Sequence, residues 1–72
     1  MDEDVFNLEL RKFLKRFGVT AQHEIEKAVA AALEQGSLTG KEVLAVRATL
    51  EIPKVLPALR IDGDIALSNR QG

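Results

Sequence analysis

Phe17-Gly18-Val19-Thr20-Ala21 is the stretch that decides the fold of this 72-residue chain. Ahead of it, Phe6, Leu10, Phe13, Leu14 and Phe17 recur at three- and four-residue spacing, one apolar helix stripe that Val5 and Leu8 widen at its start. Behind it, Ile25, Ala28, Val29, Ala32 and Leu33 repeat the pattern, with Ala30 and Ala31 keeping the surface small. Gly18 offers a left-handed stop at little steric cost. Thr20 offers a cap, because its hydroxyl can accept a free backbone N–H of a new first turn. The spacing predicts a helical hairpin cornered at Gly18-Val19-Thr20, with helices over residues 2–17 and 20–35. The second start is only partly signalled, since His23 stands where a capping box wants Glu or Gln.

Downstream, Gly36 repeats the terminator, and residues 37–41 read as a loop anchored by Leu38. From Leu44 the period changes to two. Leu44, Val46, Ala48, Leu50 and Ile52 point one way, and Ala45, Arg47, Thr49 and Glu51 the other, which predicts a half-buried strand over 43–52. Pro53 and Pro57 bracket a turn, since neither can donate to a ladder. Alternation resumes in a second strand over 59–67. Asp62-Gly63 invites a tight turn. Such a turn would set Ile61 against Asp64 and Arg60 against Ile65, on mismatched faces. One strand running through Gly63, with a bulge or a close approach there, keeps the apolar residues together. The expected fold is α+β, a small single domain of α-α-β-β order. An antiparallel two-stranded hairpin covers the helical pair, and residues 68–72 form a loose tail.

Composition bounds the rest. The hydrophobic share of 46 % is that of a globular chain. A domain of this length buries about 60 % of its unfolded surface, so its core is small. No apolar stretch approaches the roughly 18 residues of a membrane span, and the acidic start, Met1-Asp2-Glu3-Asp4, reads as no secretory signal. The absence of cysteine excludes disulfides, thiol catalysis and cysteine-based metal sites. The net charge of −1 gives no general attraction to nucleic acid or anionic lipid. Locally the charge is uneven. Asp2, Glu3, Asp4 and Glu9 precede Arg11, Lys12, Lys15 and Arg16, an order that favours the helix dipole at both ends of the first helix.

Those four bases are the candidate partner-binding residues, with phosphates or an acidic protein as the matching chemistry. Separately, Phe13, Phe17, Gly18, Val19 and Thr20 resemble the turn of a DNA-binding helix-turn-helix, with the following hairpin as a wing. Against that, the second helix opens with Glu24 and Glu26 where bases or amides should meet DNA, and Ile25 falls one residue late. The three Phe residues belong to the helix stripe, which leaves no stacking platform for single strands. Gly36-Ser37-Leu38-Thr39-Gly40-Lys41-Glu42 fails as a phosphate loop. Its first glycine is one residue too close, Glu42 replaces the magnesium-binding hydroxyl, and a helix precedes it. Asp62 and Asp64 make a poor cation site without a third ligand and suit the polar face of a strand. His23 has no nucleophile beside it, and Ser37 and Ser68 have no catalytic context.

The runs Asp2-Glu3-Asp4-Val5-Phe6-Asn7, Leu10-Arg11-Lys12-Phe13-Leu14-Lys15, Gly18-Val19-Thr20 and Glu24-Ile25-Glu26-Lys27-Ala28-Val29 resemble a family of short bacterial (proteobacterial) proteins of unknown function. The likeness continues through Gly36-Ser37-Leu38-Thr39-Gly40 into the strand pair with Gly63. It implies a bacterial, cytosolic origin and brings no functional residues with it.

The expected function is therefore a noncatalytic interaction or adaptor domain in the cytoplasm. It needs no cofactor or metal and has no membrane partner. Its partner is an unidentified protein or a second copy of itself. Two strands alone are marginal and leave two open edges. Pairing edges across a two-fold axis would make a four-stranded sheet and enlarge the core. The alternative is nucleic-acid binding through the helix-turn-helix-like segment and Arg11, Lys12, Lys15 and Arg16.

Overall fold

The computed structural model describes residues 1–69. It divides the chain into two compact units, Met1–Ser37 and Leu38–Gly72. Of the tail expected at 68–72, residues 70–72 lie outside the described residues.

The first unit corrects the predicted helical hairpin. It is one α-helix, α1, spanning Glu3–Gln35 and passing unbroken through Gly18, Val19 and Thr20. The balance is one of ends against one residue. A glycine inside a helix costs roughly 1 kcal/mol relative to alanine. A break there would leave up to four C=O groups and four N–H groups to be satisfied at two new ends, and would require a second nucleation. The apolar rhythm also crosses the glycine in phase, since Phe17, Ala21, Ile25, Ala28 and Ala32 follow one another by three or four residues.

Both ends of α1 are capped. At the start, the Asp2 side chain accepts hydrogen bonds from the backbone N–H groups of Asp4 (3.0 Å) and Val5 (3.1 Å). At the end, Gly36 takes a left-handed conformation with φ 82°. The Gly36 N–H then donates to Leu33 O (3.2 Å) and the Ser37 N–H to Ala32 O (2.9 Å). This is the paired closure of a Schellman motif, and it satisfies carbonyls that the last turn leaves free.

The second unit is an antiparallel hairpin of β1, Val43–Ile52, and β2, Leu56–Ala66. β1 has the bounds its alternation predicts. β2 runs straight through Asp62-Gly63, with Gly63 opposite Val46, so no turn forms there. The irregularity in pairing lies instead between Leu50 and Ile52, beside the true turn. There Ile52 O accepts from the Val55 N–H (3.0 Å). Pro53 occupies the first central position and Lys54, at φ 71°, the second. That pattern fits a type II turn, whose second central residue is normally glycine. Pro57 lies inside β2, where an edge strand tolerates a missing donor.

The pairing sorts the side chains by chemistry. Leu44, Val46, Ala48 and Leu50 share one face with Ile65, Gly63, Ile61 and Leu59. The other face carries Arg47 opposite Asp62 and Thr49 opposite Arg60. On β1 the apolar-face residues from Leu44 to Leu50 are half-buried and the intervening ones exposed. Among the described residues none is fully buried. Each unit thus presents an amphipathic surface and encloses no core by itself.

Candidate functional site

Arg11, Lys12, Lys15 and Arg16 lie on two successive turns of α1, all exposed. Arg11 and Lys15 are four residues apart, as are Lys12 and Arg16, so like charges neighbour one another on the helix surface. Each such pair opposes helix formation by about 0.2–0.5 kcal/mol. One acid offsets this weakly, Glu9 at 4.0 Å from the Lys12 ammonium. Both side chains are 65 % exposed, so the pair adds only tenths of a kcal/mol. The structure therefore keeps the predicted quartet together, and it sits mid-helix. The helix end that would have favoured it lies within a turn of Arg16 in the predicted hairpin and about five turns away in α1.

Apolar residues occupy the same side. At ~100° per residue, Leu8 and Val19 fall about 160° around the helix from the centre of the Phe6, Leu10, Phe13 and Phe17 stripe, among the four bases. Leu8 is 55 % exposed and Val19 52 %; the stripe on the other side is open too, with Phe6 at 50 % and Phe13 at 52 %. Sequence reading by a single stripe misses this second apolar side. Its signal is the eleven-residue interval between Leu8 and Val19, three full helical turns.

The helix-turn-helix loses its turn, because no corner separates the segments at Gly18-Val19-Thr20. His23 stands on the exposed surface of α1. The phosphate-loop lookalike is filled from within. The backbone N–H groups of Thr39 and Gly40 donate to the Glu42 carboxylate at 2.9–3.1 Å, taking the place a phosphate would need. The Thr39 N–H bond above all holds the Glu42 carboxyl below its usual range, helped by Gly40.

On the hairpin, Asp62 accepts from Arg47 at 3.2 Å and is paired with Arg60 at 3.3 Å. The three side chains form a polar strip across both strands, so Asp62 is engaged by cations of its own chain. Among the described residues no group of three or more His, Cys, Asp or Glu gathers to hold a metal ion. No helix among them is long and apolar enough to cross a membrane.

A family of unknown function, DUF6494, matches residues 1–68, which takes in α1 and both strands. The chain belongs to the DUF6494 family. No curated protein and no solved structure matches the chain. What this DUF6494 chain offers a partner is its own surfaces. Those are an amphipathic helix with apolar groups on two sides, a basic quartet, and a hairpin with one apolar face.

Proposed function

We propose that the chain is a small noncatalytic interaction module that works as a homodimer in the cytoplasm. One observation carries the reading: the large apolar residues of α1 are exposed on two opposite sides of the helix. A two-stranded hairpin is one layer thick and covers one side of a helix at most. The other side then needs a second surface. Isolated two-stranded hairpins are marginal in water as well, and a partner that shields both units supplies what a chain of this size lacks. A symmetric second copy is the simplest such partner. Size-exclusion chromatography with light scattering across a concentration series tests this. The expected mass is near twice 7.9 kDa, and a monomer mass maintained at high concentration sinks the proposal.

A second reading rests on the exposed bases. Arg11, Lys12, Lys15 and Arg16 could hold phosphates on a continuous helix without any turn. It predicts a salt-sensitive gel shift that weakens when Lys12 and Lys15 are changed to Glu. Absence of binding at low salt removes it.

A further inference from the structure

We infer that the dimer forms by edge-to-edge pairing of β1 with β1 of a second copy, about a two-fold axis at Ala48; this rests on the homodimer proposed above and specifies its contact. The hairpin has two outer edges, and they differ. β2 is interrupted by Pro57, which lacks a donor, and its outward-turned stretch carries Asp62 and Asp64 close together. Self-pairing there is limited by Pro57, and a register shifted to centre on Asp62 or Gly63 would set acids of the two copies opposite one another, which is unfavourable. β1 is ten residues long with no proline, no glycine and one residue of each charge, Arg47 and Glu51. Edges of that kind are the ones that recruit another strand.

The pairing inside the hairpin determines which groups of β1 are free. Leu67 N–H donates to Glu42 O at 3.0 Å, and the register advances evenly from there to Leu50 opposite Leu59. Antiparallel strands alternate between residues bonded to the partner and residues turned away. Glu42, Leu44, Val46, Ala48 and Leu50 thus bond to β2, while Val43, Ala45, Arg47, Thr49 and Glu51 turn their N–H and C=O groups outward. An incoming β1 must match outward residues with outward residues and keep the apolar face continuous. Two registers with full overlap satisfy both conditions. One centres on Arg47 and sets that arginine against its own copy, a like-charge pair. The other centres on Ala48.

The Ala48 register sets no like charges directly opposite one another, and Arg47 has its own copy only as a diagonal neighbour. On the apolar face Leu44 meets Ile52 of the second copy, Val46 meets Leu50, and Ala48 meets Ala48. On the polar face Ala45 meets Glu51 and Arg47 meets Thr49, which leaves Glu51 of the second copy diagonal to Arg47 and within reach of its long side chain. Four outward residues per strand can exchange about eight hydrogen bonds in this arrangement. The product is a four-stranded sheet of order β2-β1-β1-β2 with one apolar face twice as wide as that of the hairpin alone.

Cysteine cross-linking of the full chain tests the register, because the protein has no cysteine of its own. Facing residues of a non-hydrogen-bonded antiparallel pair lie about 4.5 Å apart at Cα, within disulfide range. An Ala48→Cys variant is expected to oxidise to a disulfide-linked dimer. Ile61→Cys lies on the same face but on β2, about 14 Å from its copy at the ordinary strand spacing, and should remain free. Thr49→Pro removes an outward N–H only and should shift the chain toward monomer, with its circular dichroism retained. A dimer by light scattering in which the Ala48→Cys variant cross-links no faster than the Ile61→Cys variant overturns the edge pairing and leaves self-association standing. A monomer mass at every concentration overturns both.

Discussion

Gly18 and Gly36 are the same residue in similar company, and the chain treats them oppositely. Each follows an apolar helical run, Phe13 and Phe17 in one case, Ala32 and Leu33 in the other. At Gly18 the helix continues, and a Cβ placed there would touch nothing within 4 Å. At Gly36 the backbone turns left-handed and two N–H groups fold back on the last turn. What comes next makes the difference. Gly18 is followed within three residues by Ala21-Gln22-His23-Glu24, which keep the helical rhythm. Gly36 is followed by Ser37-Leu38-Thr39-Gly40 and then a strand pattern. A glycine permits a stop, and the residues after it decide whether the stop is used.

The largest expected effect tests that contrast at Ala21. In a helical hairpin capped by Thr20, Ala21 would be the first helical residue, where proline is welcome. Within α1 it is an interior position. Ala21→Pro should then cost about 3 kcal/mol or more and show as lost helicity and a lowered midpoint in thermal unfolding followed by circular dichroism. An unchanged midpoint would restore the corner.

Alanine at the two glycines should act with opposite signs. Gly36→Ala forces a side chain into the left-handed region and should destabilise by about 1–2 kcal/mol. Gly18→Ala removes backbone freedom from a helix interior and should stabilise by about 1 kcal/mol. Chemical denaturation of both variants beside the parent measures the pair. A destabilising Gly18→Ala would mean that another surface approaches the helix closely at that point.

These positions also show how far the sequence could be read. Gly36 as a terminator, β1 over 43–52 and the refusal of a turn at Asp62-Gly63 all follow from period and register, which local residues carry. The helical corner misleads because glycine and threonine punctuate a helix only where the residues after them drop its rhythm. The test that would have caught it is phase, since Phe17, Ala21, Ile25 and Ala28 continue one stripe across the supposed break. Pro57 misled in the same way, for an edge strand beside an irregularity in pairing has room for a residue without an N–H. The site is less legible than the fold. Arg11, Lys12, Lys15 and Arg16 are placed correctly on a helix surface by spacing alone, yet exposed charges acquire specificity only from a partner. The free edge of β1 could be located only once the pairing direction of its backbone was known.

The mildest prediction sharpens the other half of the comparison, the loop that keeps the chain out of helix after Gly36. Glu42 accepts from the N–H groups of Thr39 and Gly40, and the Thr39 hydroxyl accepts from Lys41 N–H at 3.3 Å. These bonds favour the carboxylate, so the folded pKa lies below the unfolded one. The sign follows: the contribution is complete above the unfolded pKa of Glu and is lost as pH falls through the folded value. Hydrogen exchange at Thr39 and Gly40 should therefore quicken, relative to neighbouring amides, as pH falls through the lowered folded pKa of Glu42. In Glu42→Gln the amide oxygen can still accept but no longer titrates, so that acid-dependent loosening should vanish while the hairpin persists. Gly18 has no such device after it. If Glu42→Gln leaves the acid response of Thr39 and Gly40 intact, the carboxylate does not hold this loop. The stop at Gly36 would then rest on the left-handed cap alone.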